Sequence, residues 1–239
     1  MEIKGKIMAA YKDEKFENDR SYVLGKTMAD IVADGLRMDI IQKKIPTGSI
    51  ITVKEVAERY GVSPMPVRDA FNTLKGEKLL EVSPYKHCKV LSIDRNYVSN
   101  IYGLADAIEG LLLEDAINNA SDELISSVEK INERIKNLVA NMDEDAVSEY
   151  QHLNAKFHQR LYSVSTNTIA QDLNRYYNDT IIDSFRIEYP ATLERLSACY
   201  EEHQAIIDAV KNRDIPAARA ALRSHNDNAK ADFLKNNLD

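Results

Sequence analysis

The run Gly61-Val62-Ser63-Pro64-Met65-Pro66-Val67-Arg68-Asp69-Ala70-Phe71 leaves this chain little conformational choice. Ahead of it, Val53, Val56, Ala57 and Tyr60 form an apolar stripe, with Lys54, Glu55, Glu58 and Arg59 on the polar side. Behind it, Val67, Ala70, Phe71 and Leu74 form a second stripe. Two short amphipathic helices joined by a Gly-containing turn make a helix-turn-helix. Ser63 stands where an N-cap belongs, and Pro66 falls in the first turn, where a missing N–H costs little. Arg68 then lies one turn in, near the end that a recognition helix presents to base edges. Ile50 and Ile51 follow the Pro46-Thr47-Gly48 turn as a short strand. Leu79 to Val82 and Lys89 to Ile93 alternate around Pro84 as a two-stranded wing. The pattern is that of a winged reader of double-stranded DNA.

These residues carry a family resemblance. Ile45-Pro46-Thr47-Gly48, Val53 through Ser63, and Pro66-Val67-Arg68-Asp69-Ala70-Phe71 with Leu74 resemble the winged helix of GntR-type bacterial transcription regulators, over roughly residues 27 to 93. The resemblance implies DNA contacts from Lys54, Ser63, Pro64, Met65, Pro66 and Arg68. Arg68 suits guanine O6 and N7, Lys54 and Ser63 suit phosphates, and Pro64 and Met65 offer apolar and backbone contact. Pro64 and Met65 depart from members with Arg and Thr there. In the wing, His87 stands where the family usually turns on glycine, and Lys86 and His87 are the expected wing contacts.

The net charge of −7 agrees with DNA binding only when it is divided along the chain. Residues 24–93 hold eleven Lys/Arg against eight Asp/Glu, which leaves the rest of the chain strongly acidic. A basic head on an acidic body directs the phosphate backbone to one end. Cys88 and Cys199 form no Cys-x-x-Cys pair and suit a reducing cytoplasm better than a disulfide framework. No apolar run reaches bilayer length, so no membrane association is expected. The polar N-terminus lacks the apolar core of a signal peptide and reads as a partly ordered extension over residues 1–23.

From Asp94 onward the pattern is helical throughout. Val98 to Ala116 mark one helix, and Ser121 caps a second carrying Leu124, Val128, Ile131, Ile135 and Leu138. A third begins at Asp143 and carries Val147, Tyr150, Phe157 and Leu161. A fourth follows Asn167 through Ile169, Leu173, Tyr176 and Ile181. A fifth follows Pro190 to Val210, and Asp214 caps the last. The expected fold is therefore mainly α: a winged helix-turn-helix over 24–93, then an all-α bundle over 94–239. Ile101-Tyr102 with Glu109, Phe157-His158, Glu202-His203 with Ile206, Asp208-Ala209, and Ala217-Ala218-Arg219 ahead of His225 resemble the FadR-type C-terminal (FCD) domain that follows many GntR heads. Six helices match its VanR-like branch.

That resemblance implies a ligand set. Asn154 and His158, four apart on one helix face, would join His203 and His225 around a divalent transition metal such as Zn²⁺ or Ni²⁺. The family has a carboxylate at Asn154, whose amide oxygen coordinates without negative charge, so affinity should fall. The same histidines also suit direct binding of an organic anion. Where this chain has Ala105, the family often carries an arginine that helps hold a carboxylate, and Arg175 or Arg186 are the candidate substitutes. An enzyme would need more. Glu149-x-x-His152 has the spacing of a di-iron bundle, but His203 has Tyr200 three residues before it, so no second pair exists. No nucleophile elbow, phosphate loop or His-Glu-x-x-His motif occurs. The alternatives, a metal-dependent enzyme or an interaction scaffold on the bundle alone, leave the winged head unused. The reading is a cytoplasmic homodimeric regulator, a repressor by default, that binds a pseudo-palindromic operator and responds to a small organic acid.

Overall fold

The computed structural model describes residues 26–82, 87–140, 146–182 and 193–237. The chain divides into two compact units, Met1–Ile93 and Asp94–Asp239. In the first, α1 (Met28–Ile41) begins at a reciprocal capping box in which Thr27 accepts from the Asp30 N–H and Asp30 accepts from the Thr27 N–H. Strand β1 (Ile50–Thr52) runs directly into α2 (Val53–Tyr60), where Thr52 and Glu55 repeat that box. The bonds from Thr52 hold the exposed Glu55 carboxyl below its ordinary range. Helix α2 stops at Gly61, whose left-handed φ of 63° lets its own N–H and that of Val62 return to the last turn. Helix α3 (Pro64–Gly76) follows at once.

Strands β2 (Leu80–Val82) and β3 (His87–Val90) form the antiparallel wing, with Leu80 opposite Val90 and Val82 opposite Cys88. The expected second wing strand starts two residues earlier than the apolar alternation indicated, and β1 also joins it. Ile51 pairs with Cys88, giving a three-stranded sheet of order β1-β3-β2. Val32, Leu36, Ile40, Val67, Phe71, Leu74, Leu80 and Val90 are buried from the two main helices and the sheet. Helix α1 packs on α3, and that contact contains one charged pair. Arg37 donates from Nε to Glu77 Oε2 at 2.8 Å and from Nη2 to Glu77 Oε1, both side chains almost fully buried. Asp34 accepts a third bond from Arg37 at 2.6 Å. Burial works against the guanidinium charge, but Glu77 and Asp34 outweigh it.

Cys88 shows what the sheet does to a thiol. Burial pushes it up to about 11. It therefore stays protonated at neutral pH and resists iodoacetamide until the head unfolds. The proton it retains makes the head less stable as pH rises from about 9, the unfolded value, through about 11. Alkylation mass spectrometry across urea concentrations checks this, with modification expected only in the unfolding range.

In the second unit, α4 (Arg95–Asn118), α5 (Asp122–Ala140), α6 (Ala146–Tyr162), α7 (Thr168–Asn174), α8 (Leu193–Lys211) and α9 (Ile215–Asn237) surround one apolar core. Asp94 caps α4 and Asn167 caps α7 through side-chain oxygens. Helix α8 packs on α5 and α9, α9 packs on α4, and α6 packs on α5 and α4. The expected fourth helix differs in two ways. Past Asn174 it widens into a π-helix over Arg175–Ile182, and it buries Ala170, Asn174 and Ile181 rather than Ile169 and Leu173, which are exposed. The expected helix starts at Asp143 and Pro190, and the N-terminal extension, lie outside the described residues.

Candidate DNA-reading helix and metal centre

Ser63 occupies the N-cap of α3 with extended backbone, yet its hydroxyl makes no capping bond. Pro66, the third helical residue, has no N–H to be capped, although Met65 at the second position still carries one. The helix therefore leaves the Ser63 oxygen available to a ligand. Met65 is 70 % exposed although apolar, and Arg68 is exposed one turn further on. Pro64 and Pro66 lie in the same first turn. Lys54 opens α2, exposed and only loosely paired with Glu58 at 3.9 Å. His87 enters β3 opposite Thr52, and Lys86 lies outside the described residues.

In the helical unit, three buried imidazoles converge: His158 from α6, His203 from α8 and His225 from α9. One ring nitrogen of each lies within 4.8 Å of the others. Each ring is held by a different device. Nδ1 of His225 donates to Glu202 Oε2 at 2.8 Å, leaving Nε2 as a lone-pair donor turned inward. Nδ1 of His158 faces the Tyr162 hydroxyl at 3.4 Å and Glu109 Oε1 at 3.8 Å, again leaving Nε2 inward. Phe157 stacks on His203 at 3.8 Å between centroids, with planes 8° apart, and fixes that ring by its face.

The supporting carboxylates are themselves organised. Burial opposes charge on Glu202, but the His225 bond, the Arg195 guanidinium at 2.7 Å and the Asn228 amide outweigh it and hold the carboxyl below its ordinary range. Glu109 accepts from Asn226 at 2.8 Å and from Asn178 at 3.3 Å. Asn178 lies in the π-helical segment, so the widened turn has a structural use there. Burial, then the Glu109 and Asp106 charges, push the Tyr162 phenol well above its ordinary range and keep it a hydrogen-bond donor.

The donor set fits a borderline-soft divalent ion. His158 Nε2 and His225 Nε2 are 3.3 Å apart. Two nitrogens bound at about 2.0–2.1 Å around tetrahedral zinc are separated by about 3.3–3.4 Å. With neutral imidazoles, Glu109 and Glu202 against Arg195 leave one net negative charge, which favours a cation over an anion as the direct occupant. Asn154 is buried on the same face of α6 as His158, and its Oδ1 accepts from Cys199 Sγ at 3.5 Å.

Four of the supporting residues were not expected from the sequence: Cys199, Arg195, Tyr162 and Asn178. Cys199 carried a usable signal, since it precedes His203 by four residues as Asn154 precedes His158. Of the two candidate arginine substitutes, the described one falls elsewhere. Arg175 is exposed on the surface and paired with Asp172 at 3.3 Å, away from the histidines, because the π-helical segment turns Asn178 inward instead. Arg186 lies outside the described residues. The buried guanidinium at the site is Arg195.

A winged helix-turn-helix joined to an all-α unit with a buried histidine cluster defines a class of DNA-binding regulator. Residues 28–90 match the family model for bacterial regulatory proteins of the gntR family, and residues 100–228 match the FCD domain. The chain belongs to the GntR family of transcription regulators, in the group that carries an FCD domain, and is not an enzyme. It is 28 % identical over 190 residues to the HTH-type transcriptional regulator YdhC of Bacillus subtilis, covering 80 % of this chain and 84 % of that one. It is 24 % identical over 187 residues to the gluconate operon transcriptional repressor of the same organism, covering 77 % and 75 %. The solved structure of E. coli McbR/YncC shares the fold, with a TM-score of 0.61 at 17 % identity over 88 % of this chain and 98 % of that one. No described helix is long and apolar enough to cross a membrane.

Proposed function

We propose that the chain is an operator-binding repressor whose DNA affinity is set by a small organic acid at a divalent metal held by His158, His203 and His225. The observation that carries this reading is the convergence of three buried imidazoles, two with Nδ1 facing carboxylates so that their Nε2 atoms stand 3.3 Å apart. The metal would supply positive charge and open positions for a carboxylate, while Glu202 and Glu109 orient the imidazoles. Gluconate in the name of one relative favours hydroxy acids as the effector class.

Lys54, Ser63, Pro64, Met65, Pro66 and Arg68 are the proposed contacts of the head, with Lys86 and His87 from the wing. Exposed Met65 suits a thymine methyl, and exposed Arg68 suits guanine. The chain works as a homodimer in the cytoplasm, where the chromosome is. Leu104 and Leu111 on α4, and Ile169 and Leu173 on the neighbouring α7, expose apolar side chains that a second copy would cover. Effector binding alters repression only through unequal affinity for two head arrangements.

Replacing Arg68 with Ala is expected to remove about 1–3 kcal/mol of discrimination at one base pair while leaving thermal stability nearly unchanged. Selection of operators from genomic fragments, followed by titration of single-base variants, measures it. A folded Arg68→Ala protein with undiminished selectivity would overturn the assignment. Elemental analysis before and after chelation tests the metal, with about one transition metal per chain expected before.

A further inference from the structure

The outer face of α3 carries one more side chain with base-reading chemistry. Val67, Ala70, Phe71 and Leu74 are buried and fix the inner side of the helix. At about 100° per residue, Met65 and Asn72 project within about 20° of each other, nearly opposite that buried stripe. Arg68 lies between them in sequence and about 40° from Asn72 around the axis. Asn72 is exposed, and its carboxamide is engaged by no described residue. Neighbouring Thr73 differs: its hydroxyl donates to the Asp69 carbonyl at 3.3 Å, within the helix's own backbone.

We propose that Asn72 is a specificity-determining residue of the head, reading an adenine through its N6 and N7 atoms. This rests on the DNA-binding reading above. A carboxamide presents a donor and an acceptor side by side, and in the major groove only adenine offers the matching acceptor and donor on one base. A helix rise of about 1.5 Å per residue sets Asn72 about 6 Å from Arg68 and about 10 Å from Met65 along α3. Base pairs are about 3.4 Å apart. A helix lying along the groove therefore places the adenine about two base pairs from the guanine of Arg68 and about three from the thymine of Met65. Phosphate is the poorer partner for Asn72. Its amide is neutral, and Asp69, exposed one turn before it, repels the backbone. Lys75, exposed one turn after it, is the side chain suited to phosphate.

The test is selection of randomised DNA duplexes by the intact chain, followed by titration of single-base variants of the selected site. The wild type should select a site with an adenine about two base pairs from the position that loses preference in Arg68→Ala. Asn72→Ala should lose preference at that adenine alone, by about 5- to 150-fold, and keep every other position. Asn72→Asp should shift the preference there from adenine to cytosine, because a carboxylate accepts from cytosine N4. A side chain that only supports the helix would not exchange one base for another. Thermal melting followed by circular dichroism shows that each variant is folded. An Asn72→Ala protein that binds all sites more weakly by one common factor, or that leaves every position unchanged, would overturn the Asn72 assignment and leave that of Arg68 standing. A wild type that selects no sequence would overturn both.

Discussion

Replacing Glu77 with Ala should destabilise the DNA-binding unit by about 3–5 kcal/mol. The substitution leaves the Arg37 guanidinium buried against α3 with only Asp34 beside it, and a single side bond does not replace a two-pronged one. For a unit of this size that is most of its stability. The loss follows from an orphaned charge rather than from the intrinsic worth of the pair. Accordingly, a double replacement with apolar residues of similar volume, Arg37→Met with Glu77→Leu, should recover most of it. Hydrogen exchange of α1 and α3 amides in the intact chain, followed by mass spectrometry, reports this unit separately from the helical one. A Glu77→Ala protein whose α1 and α3 amides exchange as in the wild type would show that the pair contributes little.

Metal loading should have a comparable effect on the other unit. An ion that binds the folded state alone, at a free concentration about a thousandfold above its dissociation constant, stabilises by about 4 kcal/mol. In a helical unit of this length the melting temperature should rise on the order of 10 °C. His225→Ala should abolish the rise. Glu202→Gln should reduce metal affinity about 10- to 100-fold while leaving the ligands in place, since it weakens the acceptor that orients His225. Differential scanning calorimetry of chelated and zinc-loaded protein measures the shift, and equal melting temperatures would contradict the metal site.

What the sequence revealed divides by range. The turn of the helix-turn-helix was legible because its signals are local: Gly61 needs a left-handed backbone, and Pro64 and Pro66 tolerate only the first turn of a helix. The same local reading placed Ser63 at the N-cap, where its hydroxyl in fact makes no capping bond. The pairing of β1 with β3 and the Arg37–Glu77 bridge join residues about forty positions apart, and no periodicity marks such partners. In the helical unit the apolar stripes identified helices correctly but misassigned Ile169 and Leu173, since a buried Asn174 breaks the apolar pattern and the π-helical segment ends the 3.6-residue repeat. The histidines were legible through family resemblance. Their support was not, because Glu202, Arg195 and His225 meet only when α8 packs on α9.

The measurement that bears most directly on the proposed regulation is operator affinity by fluorescence anisotropy. It compares zinc-loaded wild type, chelated wild type and zinc-treated His225→Ala across a panel of hydroxy acids at fixed salt, because phosphate contacts make affinity salt-dependent. A change of about tenfold or more with one acid, corresponding to a coupling of about 1.4 kcal/mol, is expected only in the zinc-loaded wild type. An equal response in all three proteins would contradict a metal-centred effector site, and so would no response to any acid in the loaded wild type.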